Sequence, residues 1–95
     1  MTPRTLRRKL VKDFPIRRRV VVISEATDDG SMGECWMEGD SILINLAPAV
    51  QDEQAHTLAH EWAHAIIFDR NGKLSTRHTV EWAREFAKIY QTYWD

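Results

Sequence analysis

Leu58-Ala59-His60-Glu61-Trp62-Ala63-His64-Ala65 is the stretch on which the reading of this 95-residue chain turns. No proline or glycine interrupts residues 49 to 70, and Asn71-Gly72 supplies a strong stop, so the spacing predicts one long helix there. Four residues separate His60 from His64, which puts both imidazoles on one helix face about one turn apart. Two imidazoles so placed converge on one metal ion, as a zinc site on a helix requires. Glu61 leans toward the same side, where its carboxylate suits a base acting on a metal-bound water. Leu58, Ala59, Trp62, Ala63, Ala65, Ile66, Ile67 and Phe68 frame these residues and predict a buried helix. Buried histidines and a buried glutamate need partners, and a metal provides one.

A catalytic zinc site takes three protein ligands and leaves a position open. His78 is the expected third: it follows His64 by 14 residues, past a glycine-containing turn, near the start of another helix. Glu81 and Glu85 are the alternatives. If His78 is the ligand, Glu81 at i+3 is expected to orient its ring by a hydrogen bond. His56, one turn before His60, is not expected to bind the same ion, because His56 to His64 spans roughly 12 Å of helix rise. It reads as a polar wall of the cleft. Cys35 reads as a strand residue without chemistry, and the tryptophans at 62, 82 and 94 as core or helix contacts.

Outward from this helix the chain is legible in blocks. Thr2-Pro3, then Leu6, Leu10 and Val11, predict a short N-terminal helix that ends by Pro15. Arg17 to Ser24, centred on Val20-Val21-Val22-Ile23, predicts a strand buried on both faces. Glu34 to Glu38 and Ser41 to Leu46 flank Gly39-Asp40 as a tight hairpin. After the polar loop Lys73 to Arg77, Trp82, Phe86, Ile89 and Tyr93 recur at helical spacing. The expected fold is α+β, a single domain over residues 1–95. It has an N-terminal helix, a three-stranded antiparallel or mixed sheet, the site-bearing helix and a C-terminal helix.

Composition narrows the class. Apolar residues make up 43% of the chain, ordinary for a globular domain, and no apolar run approaches membrane-spanning length. One cysteine excludes an internal disulfide and a cysteine-rich zinc ribbon. With no apolar leader behind the charged N-terminus, an intracellular, cytoplasmic protein is expected. The net charge of −1 conceals an asymmetry: residues 1–19 carry eight basic side chains against Asp13 alone. That segment is a weak pointer to nucleic acid and otherwise a solvated basic face.

The quoted segment, followed by His78-Thr79-Val80-Glu81-Trp82, resembles the SprT-like (Spartan-type) zincin peptidases, whose HExxH motif precedes a third histidine. The likeness extends over residues 42 to 95. It implies a minimal zincin-like fold of the kind phage and bacterial genomes encode, with one Zn2+ ion held by His60, His64 and His78. It further implies Glu61 as the base, with Glu81 and Trp82 in support. Thr79 departs from the glycine usual after the third histidine, and the zinc ribbon and DNA-binding extensions of larger relatives are not expected here.

The expected function is therefore zinc-dependent hydrolysis of peptide bonds in a protein or peptide substrate. The substrate strand would pair with an exposed sheet edge, Ser41 to Leu46 or its hairpin partner. Tyr90 or Tyr93, from the last helix, is the candidate oxyanion donor. The alternative is a zinc-stabilised binding module without turnover, associated with nucleic acid through the basic segment.

Overall fold

A computed structural model describes residues 1–73 and 77–94 of the chain. The elements run α1 (Pro3–Asp13), β1 (Val20–Ile23), β2 (Gly33–Glu38), β3 (Ser41–Leu46), α2 (Gln51–Asn71) and α3 (Val80–Trp94). This is the α+β order expected. Of the loop Lys73 to Arg77, residues 74–76 lie outside the described residues.

In α1, Thr2 accepts a hydrogen bond from the Thr5 amide and Pro3 stands in the first turn, as the sequence predicts. Leu6 and Leu10, one turn apart, are fully buried. Val11, expected beside them, is 56% exposed, because a single helical step of 100° carries it off that face.

The sheet is mixed, in the order β1-β3-β2. β1 runs parallel to β3 with Val20 opposite Ile42, and β2 runs antiparallel to it with Gly33 opposite Leu46. Between β2 and β3, Gly39 takes φ +61°, which the tight turn needs and glycine supplies without strain. Two expectations are corrected here. Ser41–Leu46 is the central strand, paired on both sides, so only its hairpin partner β2 fits the role of an exposed edge. β1 is not buried on both faces; all four of its residues are half-buried, with Val20 and Val22 packed on the core. A β-branched run is equally suited to an outer strand with one covered face, and sequence pattern does not separate the two.

β3 carries the sheet's share of the core through Ile42, Ile44 and Leu46. Asn45, on the other face, is also buried, and its amide both accepts from the Glu25 amide and donates to the Glu25 carbonyl. A buried amide satisfied in this way fixes the chain leaving β1.

α2 is the hub. It touches α1, β2, β3 and α3, which explains why its apolar residues surround it instead of forming one stripe. Trp62 is 1% exposed, and its indole nitrogen donates to the Phe14 carbonyl at 3.0 Å, tying the end of α1 to the middle of α2. Asp69, near the end of α2, accepts from the Arg17 and Arg18 amides and guanidinium groups, anchoring the approach to β1. Two of the basic residues are thus committed to the fold. Gly72 closes α2 in the left-handed conformation, its amide donating to the Phe68 carbonyl. α3 lays Trp82 and Ile89 against α2, and its Tyr93 hydroxyl donates to Asp13 at the end of α1.

Candidate metal centre

α2 and the residue pair before α3 together build the site. His60 and His64 project from one face of α2, and their ring centroids lie 5.1 Å apart. His78 arrives from the other side: its ring lies 4.9 Å from that of His60 and 5.2 Å from that of His64. One nitrogen from each of the three falls within 4.8 Å of the others, so the cluster can hold a metal ion. The Nε2 atoms of His60 and His78 approach to 3.2 Å. Three imidazoles so close, with His64 only 6% exposed, suit a common cation better than three separate water contacts.

The position of His78 follows from the start of α3. Thr79 accepts a hydrogen bond from the Trp82 amide through its hydroxyl, and its carbonyl accepts from the Ala83 amide, which makes Thr79 the cap of the helix. The departure from glycine at this position therefore has a local structural reason. Trp82, one turn into α3, packs on all three imidazoles, with centroid distances of 4.9 Å to His60, 5.1 Å to His64 and 4.3 Å to His78. Its indole nitrogen donates to the His60 carbonyl. Spacing alone gives Trp82 a place on a core stripe; the support that the resemblance implies takes the form of a wall behind the three imidazole rings.

Neither alternative ligand joins the cluster. Glu81 pairs with Arg70 at 3.0 Å and also accepts from Asn71, so the expected hydrogen bond from the His78 ring to Glu81 is not made. Glu85 is 7% exposed and pairs with Arg70 at 2.9 Å and Lys88 at 3.4 Å. Burial raises the Glu85 pKa, but Arg70 and Lys88 outweigh it and hold the carboxyl below its usual range. Arg70 thus pins the first turns of α3, and with them His78, to the end of α2. Arg70→Ala is expected to cost about 1–2 kcal/mol in urea unfolding above pH 5. The depressed Glu85 pKa means this stabilisation is present above the unfolded value and lost as pH falls through the folded one, so the cost shrinks in acid.

Glu61 lies beside the cluster, 7% exposed, with Oε2 at 4.0 Å from His60 Nε2. Burial, and then the charge of Glu34, push its pKa up to about 7. Burial, and then the neighbouring His78, lower that of His60, which favours the neutral ring that metal ligation requires. The cleft above has a volume of about 540 Å³, and β2 forms one side of it through Gly33, Glu34, Cys35 and Trp36. Burial and the neighbouring Glu61 push the Cys35 thiol up to about 12, so it stays protonated. A passive role for Cys35 fits that.

Gly33 is the site residue that sequence reading missed. A methyl group there would lie 2.5 Å from Thr57 Cγ2, 3.2 Å from the Asn45 carbonyl oxygen and 3.2 Å from Glu61 Oε2. Glycine lets the β2 backbone lie this close to Thr57 and Glu61 of α2, and its place at a strand start gives no cue to that. Gly33→Ala is expected to destabilise the protein by about 1–3 kcal/mol in urea unfolding, the ordinary cost of overpacking.

His56 lies outside the cluster and stacks on Trp94 at 4.4 Å. Tyr93 is engaged with Asp13, which excludes it as an oxyanion donor, and Tyr90 is tilted against Phe86 and stacked on Trp94. No helix among the described residues is long and apolar enough to cross a membrane. A search of curated proteins returns no match to the chain. A family model does match it, over residues 5–93, extending the likeness from the second half of the sequence back into α1. With nearly its whole length matched, the chain belongs to the SprT-like family.

Proposed function

We propose that the protein is a zinc-dependent peptidase in which His60, His64 and His78 hold the ion and Glu61 is the general base. The observation that carries this reading is the buried Glu61 carboxylate beside a three-imidazole cluster, on the floor of a cleft that opens along an edge strand. Three nitrogen donors with space left beside them are the donor set of a hydrolytic zinc site. When bound, zinc supplies Lewis acidity at the cleft floor and brings the pKa of water toward roughly 7.

The chain's own residues supply the remaining steps. Among the described residues β2 is paired on one side only, so its outer backbone groups can hydrogen-bond an extended substrate and lay it across the cleft. Glu61 takes the proton that water sheds as its oxygen bonds to the peptide carbonyl carbon. It then delivers that proton to the amide nitrogen as the C–N bond breaks. A neighbouring dication lowers the Glu61 pKa from the value burial imposes, so the carboxylate is the resident form at neutral pH. A purely structural zinc site has no use for a buried carboxylate aimed at an open cleft.

The test is metal analysis of the purified protein joined to cleavage of unfolded casein. One zinc per chain is expected, with cleavage abolished by phenanthroline and restored by zinc. Tight stoichiometric zinc without cleavage of any unfolded substrate would leave the binding-module reading in its place.

A further inference from the structure

The cleft does not end at the candidate metal centre. Beyond His60 and Glu61 it continues into a second concavity of about 490 Å³, with Met32, Gly33, His56, Thr57 and Phe86 in its wall. The two arms share Ser31, Gly33, His60 and Glu61, so they are one continuous surface. Their chemistry differs. The arm along β2 carries Asp29 and Glu34, whereas among the described residues this one, apart from the shared Glu61, holds no carboxylate, lysine or arginine.

Phe86 is its principal apolar wall. The ring stacks on Trp82 at 5.2 Å and 12°, and stands 5.9 Å from the His60 ring. Tyr90 and Trp94 continue the row at four-residue intervals along α3, and Trp94 closes back on His56. Aromatic contacts on successive turns hold Phe86 in place from both sides. Met32, across the concavity, is 52% exposed, so this apolar surface is open to a ligand.

We propose that this concavity is the subsite for a large apolar or aromatic side chain on the substrate residue next to the bond cut, with Phe86 determining that specificity. The inference rests on the peptidase reading given above. An extended peptide paired with β2 and crossing the cleft floor runs on past Gly33, where β2 begins. Successive residues advance about 3.3 Å, so the residue beyond the reacting carbonyl comes to this wall. An acidic side chain would meet no lysine or arginine among the described residues there, and a basic one only Glu61, which the reaction itself uses, while a phenyl or isobutyl group would meet Phe86 and Met32. Burial of such a group corresponds to a preference of about 10- to 100-fold over a methyl group.

The experiment uses the zinc-loaded protein and two hydroxamates, acetohydroxamate and 3-phenylpropionohydroxamate, titrated by calorimetry. The phenyl compound is expected to bind at least about 10-fold more tightly to the parent protein. The ratio of the two affinities should fall below about 3-fold in both Phe86→Ala and Met32→Asp. If Phe86→Ala loses the metal through its contact with Trp82, Met32→Asp, changed at an exposed side chain, decides. Equal affinity of the parent for both compounds would overturn the subsite, as would a ratio that survives Met32→Asp. Failure of the parent to bind either hydroxamate would instead remove the metal-centre reading, and the subsite with it.

Discussion

Changing Glu61 to Gln is expected to lower peptide hydrolysis by about 100- to 10,000-fold, the usual contribution of a positioned general base, while zinc stays bound. Gln keeps the shape and the fit against Gly33 but cannot take a proton from water. The same variant has a second, opposite signature in the metal-free protein. Burial raises the Glu61 pKa from 4.5 to about 7, so between those values the folded state binds more protons than the unfolded one. Stability contributed by this group is then present below the unfolded value and lost as pH rises through the folded one. His60 acts the other way, since its depressed pKa makes the unfolded chain the better proton binder in acid. Comparing parent and variant at each pH cancels the His60 contribution. Metal-free Glu61→Gln should therefore be more stable than the parent at pH 8, by on the order of 2–3 kcal/mol, with the margin closing near pH 4.5. Urea unfolding at the two pH values measures it. A variant that loses stability at pH 8, or that still cleaves casein at the parent's rate, would show that Glu61 is not the strained carboxylate proposed as the base.

Sequence legibility followed the range of the interactions. The cap at Thr2, the stop at Gly72 and the turn at Gly39 each depend on a few neighbouring residues, and each was readable. The shared face of His60 and His64 is readable for the same reason, because helix geometry converts a four-residue spacing directly into neighbouring rings. The place of His78 depends on how the chain turns back after α2, and the structure does bring it to the other two. What failed was pairwise and distant. Glu81 has the right spacing to reach His78, yet Arg70, 11 residues before it, takes the carboxylate at 3.0 Å. The assignment of Ser41–Leu46 as a possible edge failed because β1 pairs with it in parallel from more than 20 residues away. No local pattern announces a parallel partner. Gly33 was invisible because its reason is an empty space, filled from one side by Glu61 and from the other by Thr57.

The second large effect expected is on the metal itself. His78→Ala should weaken zinc binding by at least about 100-fold, more than the loss of a group that merely orients a ligand. Glu81→Ala should leave affinity nearly unchanged. The contrast follows from where the two side chains spend their contacts. His78 Nε2 stands 3.2 Å from His60 Nε2 and its ring lies on Trp82, while the Glu81 carboxylate faces away, on Arg70 and Asn71. Competition with a chromogenic chelator gives the affinities. Thermal unfolding supplies an independent reading, because a ligand at 100 times its Kd stabilises the folded state by about 2.7 kcal/mol. At one zinc concentration the parent and Glu81→Ala should show that upward shift in Tm, and His78→Ala should show almost none. A loss of affinity in Glu81→Ala with none in His78→Ala would mean that the carboxylate leaves Arg70 to complete the site, and that the ion is held by two histidines and a glutamate instead of three histidines.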